Sequence, residues 1–153
     1  MPLPATTAAR LRGQLECLET LLDGTESGAL DRRPIPDKWS GRENLAHLAR
    51  YQEMFLERIR RILTEEQPLL PRYRAEEDPD WPTWARMPVA DVLPSILALR
   101  SELIQRVEKL SDHDFLRTAV HPRFGEMNLV QWLEFFLLHE AHHLYIVMQR
   151  VRE

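Results

Sequence analysis

Apolar side chains recur at spacings of three and four near the start of the chain. Leu11, Leu15, Leu18 and Leu22 fall on one stripe, which predicts a first helix from about Thr6 to Leu22. Gly24 supplies a stop for it, and Cys17 lies off the stripe. After a proline-broken linker, Arg32 to Trp39, the run Ser40-Gly41-Arg42-Glu43 reads as a capping box. The Ser40 hydroxyl can accept from the Glu43 amide, and the Glu43 carboxylate can reach back. A second helix follows to about Leu63. Its main apolar face carries Leu45, Leu48, Gln52, Phe55, Ile59 and Ile62, and the adjoining strip carries His47, Tyr51, Met54 and Arg58.

Residues 65–87 break this periodicity with prolines at 68, 71, 79 and 82, an acidic patch at 76–78, and Trp81 and Trp84. A connection of this length is often functional when it is ordered. A third helix is predicted from about Val89 to Leu110 on the stripe Leu93, Leu97, Arg100, Ile104 and Val107, with Pro94 near its start. The loop Ser111 to Met127 carries His113, His121-Pro122 and Gly125, and shows no convincing strand alternation. Asn128 caps a fourth helix, with Gln131 three residues on, running to about Val151. Four long helices and no strands predict an all-α four-helix bundle in one domain, residues 1–153.

Composition narrows the function only by exclusion. A net charge of −4 argues against nucleic acid, whose phosphates call for a basic face. No apolar run approaches the roughly 20 residues that span a bilayer, so no membrane partner is expected. One cysteine, Cys17, and no apolar leader at the N-terminus give the expectation of a cytoplasmic protein.

The candidate chemistry lies in the last helix, which reads His139-Glu140-Ala141-His142-His143. At about 100° per residue, Leu129, Trp132, Leu133, Phe136, Glu140, His143 and Val147 share a stripe. His143 is expected near its middle, His139 near one edge, and His142 roughly 120° away. Imidazoles at i and i+4 can grip one metal ion, and His47 could complete a tripod that leaves a position open for substrate. The alternative is a pair of core histidines satisfied by hydrogen bonds. The same five residues match H-E-x-x-H, the zinc-protease helix. The metzincin extension of that motif would put glycine at 146 and histidine at 149, where the chain has Ile146 and Gln149.

Taken together and in order, Trp39-Ser40, Glu43, Leu45, His47-Leu48, His121-Pro122, Gly125 and His139-Glu140-x-His142-His143-Leu144 resemble the DinB/YfiT-like superfamily over nearly the whole chain. The resemblance implies a bundle of up-down-down-up connectivity and a homodimer. It also implies a divalent metal, zinc first and nickel as the alternative, held by His47, His139 and His143. Known members of that superfamily include metal-dependent transferases that use low-molecular-weight thiols and a maleylpyruvate isomerase. The expectation is therefore a thiol S-transferase acting on a small-molecule substrate. A metal-dependent hydrolase at the same site and a non-catalytic, stress-associated binding protein are the alternatives. Glu140 is the candidate catalytic base or a partner orienting an imidazole, set against a plain helix-to-helix ion pair. Glu43, one turn before His47, is the nearest acidic residue that could close the metal site. His142 is expected at the surface, His121 shaping its loop, Tyr51 and Met54 in the core or lining the site, and Trp81 and Trp84 as a lid or a loop anchor. Arg100 is expected to bind an acidic substrate group or a structural carboxylate.

Overall fold

Ser40 and Asn128 start the two longest helices of the molecule. Each side chain accepts from the backbone N–H three residues on, and Glu43 and Gln131 return the bond, so both capping boxes form. The computed structural model describes residues 2–153. Along it run α1 (Ala5–Gly13), α2 (Cys17–Leu22), α3 (Gly41–Thr64), α4 (Trp81–Ala85), α5 (Val89–Glu108), β1 (Thr118–His121), β2 (Gly125–Asn128) and α6 (Leu129–Arg152). The first expected helix is thus two, α1 and α2, joined by a 3-10 turn at Gln14–Glu16. Gly24 ends this segment in the left-handed region, at φ +67°.

Contacts at the two ends of the bundle fix the direction of each helix. Leu45 and Leu48 of α3 pack with Val92 and Ile96 of α5, while Phe55, Ile59 and Ile62 pack with Leu103 and Val107. These two helices therefore run parallel. Leu45 meets Val147 at one end of α6, and Ile62 meets Leu129 at the other, so α3 and α6 are antiparallel. Thr7 bonds Glu134, and Leu15 and Leu18 lie with Leu144, so α1 and α2 run with α6. The order is up-down-down-up. A parallel α3–α5 pair cannot be joined by a tight turn, which is why the long segment 65–88 exists.

The third helix presents a different face from the one its periodicity suggests. Val92, Ile96, Arg100, Leu103 and Val107 are buried, whereas Leu97 is 57% exposed. Leucine and isoleucine occupy two adjacent stripes of α5, so spacing alone does not choose between them. The helix passes through Pro94, which lies in its second turn on the exposed side.

The loop expected to be free of strands contains a hairpin. β1 and β2 pair antiparallel from Thr118 opposite Asn128 to His121 opposite Gly125. Four residues per strand are too few to show alternation. His121 Nδ1 accepts from the Arg123 and Phe124 amides (3.0 and 3.1 Å), and Gly125 takes φ +75° to close the turn. The segment after α3 joins this hairpin: Val120 N–H donates to Pro68 O and Leu70 N–H to Val120 O, both at 2.9 Å. No helix among the described residues is long and apolar enough to cross a membrane.

A polar network crosses the centre of the bundle. Arg100 Nη2 is ion-paired with Glu140 Oε2. Its Nε donates to Gln52 Oε1 (2.8 Å) and its Nη1 to Leu11 O (2.9 Å). Gln52 Nε2 donates to Ile96 O, and Gln14 Nε2 to Glu140 Oε1, both at 2.9 Å. These bonds tie α1, α3, α5 and α6 at one level. Removing one partner of such a pair strands a buried charge. Arg100→Met is expected to destabilise the metal-free protein by about 3 kcal/mol, read as a lower urea midpoint with the m-value unchanged. A loss well below about 1 kcal/mol would show that the pair does not hold the bundle.

Candidate metal centre

His47 lies almost two turns into α3, on the flank that faces α6, and His139 and His143 lie one turn apart on α6. The antiparallel packing of the two helices brings all three rings together. One ring nitrogen from each lies within 4.8 Å of the others. His47 Nε2 and His139 Nε2 stand 3.2 Å apart. Two nitrogens bound 2.0–2.1 Å from a tetrahedral zinc would stand about 3.4 Å apart, so the spacing fits one ion.

The protonation state fits as well. Burial pushes all three imidazoles down from the ordinary 6.5, to about 3 for His47, about 2 for His139 and about 4 for His143. Repulsion from a neighbouring imidazole adds to burial: His143 acts on His47, His143 and His47 act on His139, and His142 acts on His143. They are neutral at pH 7, the form in which an imidazole ligates metal. The Nδ1 atoms of His47 and His139 are buried with no hydrogen-bond partner among the described residues.

Asn44 escaped the sequence reading. Its Nδ2 donates to Ser40 O (2.8 Å), which fixes the amide so that Oδ1 faces His143 Nδ1 at 2.8 Å. An amide oxygen only accepts, so Nδ1 carries the proton and the Nε2 lone pair of His143 is left free. Position 44 lies one turn before His47, and only that spacing hinted at it. Aromatic rings hold the other two imidazoles. Tyr51 stacks on His139 with centroids 3.9 Å apart, and Trp39 and Tyr73 lie 5.0 and 5.6 Å from His47.

The cluster opens into a cavity of about 520 Å³. The irregular segment and the hairpin build its outer wall, with Arg72, Tyr73 and Glu76 from one and His121, Arg123 and Phe124 from the other. His121 therefore both closes its turn and lines the cavity, and exposed His142 reaches the rim. Met54 packs against the core. Trp81 packs on Trp39 at 4.8 Å and Trp84 against the core, anchoring the segment rather than covering the cavity. Asp78 secures the same segment by pairing with Arg50 (2.6 Å) and accepting from Tyr73 (2.6 Å).

Contacts bear on the expected roles of Glu140, Arg100 and Glu43. Glu140, the candidate catalytic residue, points into the bundle with one oxygen on Arg100 and the other on Gln14, and it does not line the cavity. The structure gives it the ion-pair role, and H-E-x-x-H here has no glutamate at the histidines. Arg100 is correspondingly committed to a structural carboxylate. Glu43, the nearest candidate for a closing ligand, is held by Arg33 and by the Ser40 amide of its own capping box. The wheel also placed His143 too centrally: Glu140, Leu144 and Val147 are the buried positions, and His139 and His143 share one flank.

Known proteins bear on this arrangement. The sequence model of a family described as the DinB superfamily matches residues 10–147. The chain is 29% identical over 135 residues to the uncharacterized protein YuaE of Bacillus subtilis strain 168, covering 80% of this chain and 83% of YuaE. It is 27% identical over 140 residues to a protein of Oceanobacillus iheyensis named "Putative metal-dependent hydrolase OB0782", covering 86% of this chain and 78% of that protein. The fold superposes on the solved structure of YfiT from Bacillus subtilis with a TM-score of 0.78 at 21% identity, covering 96% of this chain and 85% of that one. YfiT is described as a probable metal-dependent hydrolase with an unusual four-helix bundle topology. At that identity the match speaks for the fold.

The depressed imidazoles set a pH dependence for the metal-free protein. Between pH 6.5 and about 4 the unfolded chain takes up protons at these rings and the folded protein refuses them. Stability therefore falls as pH falls through that window, by on the order of 1 kcal/mol per unit for His139 alone. Denaturant midpoints measured in EDTA between pH 7 and 4.5 should show this slope, and His139→Leu should flatten it. Equal slopes in both proteins would mean that His139 titrates normally.

Proposed function

The chain belongs to the DinB superfamily, and from its three histidines we propose a metal-dependent enzyme that directs a low-molecular-weight thiol at a small electrophile. His47, His139 and His143 would hold one divalent ion, zinc or nickel, at the base of the cavity. Such an ion, when bound, lowers the pKa of a thiol or water at its open position so that a nucleophile exists near neutral pH.

The observation that carries this reading is the donor set itself: three neutral imidazoles converge on one point at the base of a cavity, with no free carboxylate beside them among the described residues. Glu140 and Glu43 are engaged elsewhere, and Glu76 lies exposed in the outer wall. Among the described residues no carboxylate stands beside the three histidines to strip a proton from a weak acid, and the other two cavity histidines, His121 and His142, lie in the outer wall and at the rim. A thiol, with an ordinary pKa of about 8.5, needs far less help than water at about 15.7. The chain's own residues do the rest. Asn44 fixes the tautomer of His143, Tyr51 and Trp39 fix the planes of His139 and His47, and burial keeps protons off the rings. Trp39, Tyr73 and Phe124 give the cavity an aromatic portion of its wall.

Hydrolysis at the same centre is a second reading. It is favoured by the name of the Oceanobacillus relative and by the description of YfiT.

Metal analysis of protein purified without a metal-affinity tag is expected to give about one equivalent per chain, lost in His47→Ala. Full stoichiometry in that variant would overturn the ligand assignment. Asn44→Ala is expected to weaken metal binding by about 10- to 100-fold, measured by chelator competition, with stoichiometry kept at saturation. Glutathione-dependent consumption of monochlorobimane by the metal-loaded protein supports transfer. Turnover of 4-nitrophenyl acetate without any thiol, and no thiol-dependent reaction, would select hydrolysis instead.

A further inference from the structure

Among the described residues three arginines are buried: Arg58, Arg100 and Arg150. Arg100 is paired with Glu140, and Arg150 reaches Glu153 at 3.5 Å. Arg58 is 5% exposed and, among the described residues, has no carboxylate partner. Its Nη1 donates to Tyr51 Oη (3.1 Å) and its Nη2 to Pro71 O (2.8 Å). Its guanidinium lies over Trp132 at 5.4 Å from the ring centroid. Two of five N–H donors thus meet protein acceptors, both neutral. A charge taken out of water is normally compensated by a countercharge. Here the guanidinium faces the cavity instead.

The surroundings repeat the sign. Arg72, Arg74 and Arg123 also line the cavity, against one acid, Glu76. Four cations and one anion give the wall a local excess of three positive charges in a chain whose net charge is −4. Arg74 is only loosely paired with Glu77, at 3.9 Å, and Arg123 lies over Phe124 rather than against a carboxylate. Along α3 the strip His47, Tyr51, Arg58 runs from the histidine cluster to this wall. Tyr51 stacks on His139 with one face and accepts from Arg58 with its hydroxyl.

We propose that the small-molecule substrate is an anion whose carboxylate or phosphate group is bound by Arg58 from below and by Arg72 and Arg123 at the rim. This rests on the reading above for placing the reacting end at the three histidines, with the charged end toward the hairpin. A guanidinium with free N–H donors in a partly dry wall matches either oxyanion in a two-pronged contact. Binding the anion also supplies the countercharge that Arg58 lacks. The irregular segment and the hairpin are then the specificity wall of the site, since each contributes one rim arginine.

Titration calorimetry at constant ionic strength tests this on metal-free protein, so that no anion reads out through a metal. The probes are inorganic phosphate and succinate. At least one is expected to bind one to one. Arg58→Met should weaken it about tenfold or more, and the double variant Arg72→Ala/Arg123→Ala, which touches only exposed side chains, about fivefold. The charge-matched control Arg12→Ala/Arg106→Ala should stay within about twofold. Preference for phosphate or for succinate identifies the group. Binding of neither probe, an unchanged affinity in the rim variant, or an equal loss in the control would overturn the proposal. Zinc stoichiometry measured on the same variants separates the two readings. Anion binding without zinc refutes the metal centre and leaves the anion pocket standing, and zinc without anion binding does the reverse.

Discussion

The buried ion pair of Arg100 and Glu140 sets the geometry on which everything else in this molecule depends. A carboxylate taken from water needs a cation and full hydrogen bonding. Glu140 finds them only by pointing into the bundle, toward α5 and α1. That choice fixes the rotation of α6. His139 lies 100° to one side of Glu140, and His143, three residues on, lies 60° to the same side. Both histidines are therefore turned onto the flank that meets α3, and His142 is turned out to solvent. A residue with the look of a catalytic acid acts as the pin that aims the histidine pair.

The second constraint is desolvation. His47 is buried, and His139 and His143 are half-buried, among Trp39, Tyr51 and Tyr73. In this environment a charged imidazole is costly and a neutral one is not, so the rings stay neutral over the whole physiological pH range. The bundle supplies this setting unaided, and the connections supply the cavity. The parallel α3–α5 pair demands a long crossover. That crossover hydrogen-bonds to the β1–β2 hairpin, and the two together wall off the space above the histidines.

Charge is partitioned accordingly. Acidic side chains are spent on one capping box, on the Asp78 anchor, on surface pairs and on the central pin, while the cavity wall collects arginines. A chain that is acidic overall thus presents a basic recess. This is a distribution that net charge cannot reveal, because it depends on which loops meet.

The sequence by itself determined the four helical segments, two capping boxes and the apolar face of α3, because these follow from spacing within one segment. It also singled out His47, His139 and His143, through i,i+4 geometry and the order of short motifs. It could not orient α5, where two leucine-rich stripes compete and only packing against α3 selects Val92, Ile96 and Leu103. It could not find the hairpin, whose strands are too short for alternation to register. Glu140 beside two histidines reads as a base, and only the position of Arg100, forty residues away, makes it structural. Asn44 and Arg58 are invisible in one dimension for the same reason. An asparagine becomes an orienting group, and an arginine an anion site, through the partners that tertiary contacts bring or withhold, and those partners lie on other segments of the chain.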